Sequence, residues 1–78
     1  MLPIDDFLRL LGRHSRSRDV AAAEDSLFGA GLDLSSLRFT EFIMDLEETC
    51  GIDIDVDDLD AGIVTAGQLH ARLQERYG

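Results

Sequence analysis

"SSLRFTEFIMDLEETCG", Ser35 to Gly51, is the stretch whose reading decides the fold. At about 100° of helical turn per residue, Phe39, Phe42, Ile43, Leu46 and Cys50 gather on one face, which is expected to enter a core. Leu37, Glu41, Met44 and Glu48 gather on the opposite face, with Asp45 and Glu47 at its margins. That second stripe sets two large apolar side chains among carboxylates, a combination suited to contact with a partner. The plainer alternative is scattered exposed hydrophobes, which are common on protein surfaces. Ser35 has the hydroxyl of an N-cap, and Gly51 is the residue type that ends a helix in a left-handed conformation, so the spacing predicts a helix over Ser36 to Cys50.

Outward from this segment the pattern stays helical. Ile4, Phe7, Leu8 and Leu11 have helical spacing within Pro3 to His14, with Pro and two Asp early and Arg later, as the helix dipole prefers. Asp5 and Arg9 are spaced to pair along that helix, and Gly12 weakens its last turn. Thr65 and Gln68 form a capping-box pattern ahead of Ala66, Leu69, Leu73 and Tyr77, a third helix. Between Ser15 and Leu34 the periodicity lapses into a loop of roughly twenty residues, a length that is uncommon unless the loop has a function. Leu27, Phe28 and Leu32 are expected to pin it to the core. "IDIDVDDLDAG" after Gly51 alternates like a strand, yet the chain offers no second strand to pair with it, so an extended loop leading to a short helix near Asp57 to Ala61 is preferred. The expectation is an all-α fold in one domain over residues 1–78: a four-helix bundle of three main helices and a short one, with a long first loop.

Charge narrows the function classes. Seven basic residues, all Arg, face sixteen acidic ones for a net charge of -9, which argues against phosphate backbones and for basic protein partners. Nine acids crowd Glu41 to Asp60, and no Lys or Arg occurs between Phe39 and Ala71. The lone cysteine, Cys50, has no internal disulfide partner, and no signal peptide or apolar run of spanning length is visible. The chain reads as soluble, cytoplasmic and, by its charge, monomeric, with neither nucleic acid nor membrane as partner.

Several constellations fail on inspection. Asp53 to Asp58 opens like a calcium loop, but Asp58 stands where Gly is needed and Val64 where a bidentate Glu is needed. His14, His70 and Cys50 have no metal-ligand spacing, so no metal site is expected. A Ser36, His70 and Asp triad would lack a nucleophile elbow and a chain long enough to build an oxyanion hole, so catalysis is not expected. The paired serines remain. Ser35 reads as a cap, and Ser36 as an exposed first-turn hydroxyl, a place where a phosphodiester is stabilised by free backbone N–H groups and the helix dipole.

"SLRFTEFIMDLEETCGIDI", Ser36 to Ile54, together with the upstream "LFGAGLD", resembles the acyl carrier protein family, in Ser36 and Leu37 at the place of the S-L of the family's D-S-L motif, in its L-E-E segment and in its L-F-x-x-G-x-D loop. The resemblance covers the whole chain. It implies a non-catalytic, acidic helical carrier on which Ser36 is esterified to 4'-phosphopantetheine, with Ser35 as helix cap and fallback attachment site. It also implies partners: a phosphopantetheinyl transferase, and acyl or aminoacyl ligases and acyl-processing enzymes with basic patches. Glu41, Glu47 and Glu48 would steer these partners, Leu37 and Met44 would make the apolar contact, and Asp45 would join them. The cargo, whether fatty acyl, polyketide or aminoacyl, stays open. The chain departs from the family in three places: Ser35 replaces Asp, Arg38 replaces an acid or small polar residue, and Asp33 stands three residues before the serine where the family has Gly, with Gly31 five before. The altered motif implies a specialised carrier, and it also leaves room for the alternative of an unmodified acidic interaction module that kept the carrier fold.

Overall fold

The computed structural model describes residues 1–15, 19–29, 31–55, 57, 59 and 62–78. Three helices form among the described residues, α1 (Ile4–His14), α2 (Ser36–Cys50) and α3 (Ala66–Tyr77), and α1 lies against both of the others. No strand occurs among the described residues; Ser26 and Thr65 form a single isolated antiparallel bridge. Among the described residues no helix is long and apolar enough to cross a membrane. Val56, Asp58, Asp60 and Ala61 lie outside the described residues, and with them the expected short helix and part of the calcium-like run; so do Arg16 and Arg18 of the early basic stretch.

The helix ends follow from local chemistry. Ser35 Oγ accepts a hydrogen bond from the Arg38 N–H at 3.1 Å, satisfying one of the donors that a helix start leaves orphaned. Gly51 takes φ 67°, and its N–H reaches Glu47 O at 2.8 Å, closing the other end of α2. In α3 the capping box is complete: Thr65 Oγ1 accepts from the Gln68 N–H, and Gln68 Oε1 accepts from the Thr65 N–H.

Phe7, Leu11, Leu27, Leu32, Phe42, Leu46, Leu69 and Leu73 are fully buried. The Phe7 ring meets Phe42 edge-on at 5.4 Å and His70 at 5.0 Å, so one aromatic cluster ties the three helices together. Leu10, which the sequence spacing leaves off the inner face of α1, is buried, while Ile4 at its N-terminus is exposed. Asp5 does not pair with Arg9. Asp6 does, at 3.6 Å and one residue closer along the helix, and a pair this exposed contributes little to stability.

The long loop is held by backbone bonds to α1, to α3 and to the segment just ahead of α3. Ala21 N–H donates to Leu8 O at 3.1 Å, Leu27 N–H to Val64 O at 2.9 Å, Ala66 N–H to Asp25 O at 3.0 Å and Gly67 N–H to Ala23 O at 2.8 Å. Its apolar anchors divide. Leu27 and Leu32 are buried as expected, but Phe28 is not an anchor: it is 49% exposed and rests on Phe39 instead. Leu27 is held inside by the bond from its N–H to Val64 O, and Phe28 beside it turns outward.

Candidate functional site

Ser36 opens α2, and its side chain is exposed. Because the neighbouring Ser35 hydroxyl is committed to the Arg38 N–H, the two serines are not equivalent. One closes the helix, and the other is left outward at its mouth, where the first N–H groups of α2 point away from the helix body. The first turn of α2 holds no acidic residue, so no carboxylate competes there for the positive end of the helix dipole. An esterified phosphate at this hydroxyl would meet backbone donors with no carboxylate in the helix's first turn, so the residues present fit a phosphate-linked group.

The loop leading into the site has its own constraint. Asp33 lies three residues before Ser36 and takes φ 53°, the left-handed region that glycine occupies freely. Asp is among the side chains that tolerate this region best. Gly31 instead serves a close approach: a Cβ there would lie 2.4 Å from Ser26 O. Asp33→Val is expected to destabilise the fold by about 1–2 kcal/mol, since a β-branched side chain is poorly tolerated at positive φ. A urea titration giving the wild-type midpoint would mean that the turn relaxes without strain.

The outward stripe of α2 is present, and it is divided. Leu37 and Met44 are 68% and 55% exposed, and Glu41 and Glu48 are exposed beside them. The two marginal acids are half-buried and engaged within the molecule. Glu47 Oε2 accepts from the Ile54 N–H at 2.8 Å, holding the segment after the helix, and Asp45 Oδ2 lies 3.1 Å from His14 Nε2, linking α2 to α1. This leaves Leu37, Glu41, Met44 and Glu48 as the part of the set free to meet another molecule. Exposed acids continue past the helix at Asp53, Asp55 and Asp57, so added salt or millimolar magnesium is expected to raise the melting temperature by screening their repulsion. An unchanged melting temperature across a salt series would remove that picture.

The remaining candidates have structural work. Cys50 is half-buried against the core, and the His70 Nε2 hydrogen bonds with Leu2 O at 2.8 Å, tying the N-terminus to α3. Among the described residues no group of His, Cys, Asp or Glu gathers to hold a metal ion. Sequence reasoning missed the Phe28–Phe39 pair, rings 5.6 Å apart, whose only signal was an aromatic residue next to Gly29 in a loop.

Comparison with curated proteins found no match, and comparison with solved structures found none either. The family model described as "Phosphopantetheine attachment site" matches residues 4–73, which takes in α1, α2 and most of α3. Domains of this family bear covalent 4'-phosphopantetheine and are themselves non-catalytic carriers of the intermediates tethered to it. With nine-tenths of its length inside that match and an exposed hydroxyl at the mouth of α2, the chain belongs to the phosphopantetheine attachment site family, and it is a carrier rather than an enzyme.

Proposed function

We propose that Ser36 is the residue esterified to 4'-phosphopantetheine and that residues 1–78 act as one carrier domain. The observation that carries this reading is the unequal pair of serines: Ser35 is occupied as the cap of α2, and the Ser36 hydroxyl stays exposed. When bound, the arm supplies a terminal thiol that holds cargo as a thioester. The protein's own part is to hold the phosphodiester at the helix mouth and to present a face to enzymes.

That face is Leu37, Glu41, Met44 and Glu48, with Asp45 and Glu47 setting its edges. Carboxylates steer basic partners to the site, and the two apolar side chains provide the contact that excludes water. The partners of this reading are a phosphopantetheinyl transferase and the ligase and processing enzymes of an acyl or aminoacyl pathway. The domain works as a cytoplasmic monomer, a reading supported by its charge and single cysteine.

The test is intact mass and peptide mapping after incubation with a broad-specificity phosphopantetheinyl transferase, coenzyme A and magnesium. One phosphopantetheine addition is expected, on the peptide bearing Ser36, and it should be abolished in Ser36→Ala while Ser35→Ala remains modifiable. Addition at Ser35 would keep the carrier and refute the assignment of the residue. No addition with several transferases, the host's own among them, would favour an unmodified interaction module, the reading to which Ser35 in place of the family's Asp lends weight.

A further inference from the structure

We propose that the rings of Phe28 and Phe39 form an aromatic seat on which the pantetheine arm rests when no partner holds it. The inference rests on Ser36 as the attachment residue. Phe28 is the one aromatic side chain among the exposed large hydrophobics of the described residues, at 49% exposure. Its position is built. Leu27 N–H is bonded to Val64 O at 2.9 Å and Leu34 N–H to Leu27 O at 3.0 Å, so both ends of the turn that bears Phe28 are tied down. Within that turn Leu32 N–H reaches Ser26 O at 2.7 Å, and Gly31 passes so close to Ser26 that no side chain fits between them. The turn thus holds the Phe28 ring against Phe39 at 5.6 Å, tilted by 59°.

Phe39 follows Ser36 by three positions on α2, a spacing that makes the two residues surface neighbours roughly 5–6 Å apart at Cβ. A group leaving the Ser36 oxygen therefore emerges next to the ring pair. Surface grooves of about 370 and 350 Å³ lie along α3 and between α1 and α2, and Ser36 lines neither. The chemistry of the arm suits the rings: geminal methyl groups pack on aromatic faces, and amide N–H groups point weakly into them. The position also suits the work of a carrier, because Phe39 is on the side of α2 opposite Leu37 and Met44. An arm resting on Phe28 and Phe39 leaves the docking face uncovered, so a partner can bind first and draw the arm away afterwards.

Isotope-filtered NOE spectroscopy of ¹³C,¹⁵N-labelled protein carrying an unlabelled arm from coenzyme A tests the seat directly. Contacts are expected from the arm's geminal methyls to the ring protons of Phe28 and Phe39, with the methyl resonances shifted upfield of those in free coenzyme A. Phe28→Ala should weaken these contacts as the seated population falls about 2- to 10-fold, and Phe28→Tyr should restore them. Thermal melts of both variants distinguish loss of the seat from loss of the fold. Methyl resonances coincident with free coenzyme A, in protein whose mass proves loading at Ser36, would overturn the seat and leave the carrier intact. Absence of loading at Ser36 would instead overturn the attachment residue, and the seat with it.

Discussion

Phe42→Ala is expected to cost about 3–5 kcal/mol of stability and to leave the domain largely unfolded at physiological temperature. Phe42 has no exposed surface and is where α1 rests on α2 through two rings: the Phe7 ring meets it edge-on at 5.4 Å and the His14 ring at 5.8 Å. Truncation removes both aromatic contacts and opens a void that the neighbouring helices cannot fill without moving. At 78 residues the whole stability is only on the order of 4–12 kcal/mol, so a loss of this size is a large fraction of it. Met44→Ala, two residues along the same helix and 55% exposed, should stay within about 0.5 kcal/mol of wild type while weakening partner binding. Urea denaturation of the two variants side by side decides the matter. Equal losses would mean that the inner and outer faces of α2 have been exchanged.

Gly12→Ala should destabilise the protein by about 1–3 kcal/mol, although helix propensity by itself favours alanine there. The reason is the backbone that passes over Gly12. A Cβ would lie 2.3 Å from Asp19 O, 2.7 Å from Asp19 C and 2.8 Å from Val20 Cα, and none of these atoms can swing aside as the end of a side chain can. The loop would have to lift, straining the bond from the Ala21 N–H to Leu8 O that fastens it to α1. Propensity offers about 1 kcal/mol at a helix interior and less in a fraying last turn, so the steric effect prevails. A stabilised variant would show that the loop does not rest on α1 at this point.

These two residues also mark how far the sequence could be read. Phe42 was legible because a helix repeats its faces at a fixed angle: the alternation of Phe39, Phe42, Ile43 and Leu46 with Glu41, Met44 and Glu48 admits one partition only. The helix ends were legible for the same kind of reason, since a serine hydroxyl, a capping box and a terminal glycine act on atoms within a few residues of themselves. Gly12 was legible only as a weak point in a helix. Its purpose depends on Asp19 and Val20, brought over it by a loop whose path no local rule dictates.

The candidate site divides along the same line. The inequality of Ser35 and Ser36, the exposed Leu37 and Met44, and the acidity of α2 follow from position along one helix, and the chain by itself determined them. Tertiary structure decided the rest: that Glu47 holds Ile54, that Asp45 faces His14, that Asp33 keeps a glycine-like backbone, and that Phe28 lies outside on Phe39 rather than within the core. Interactions within one helical turn are set by a spacing that is the same in every helix. Interactions between a loop and a helix depend on which segments the core brings together, and that arrangement exists only once the whole chain has packed.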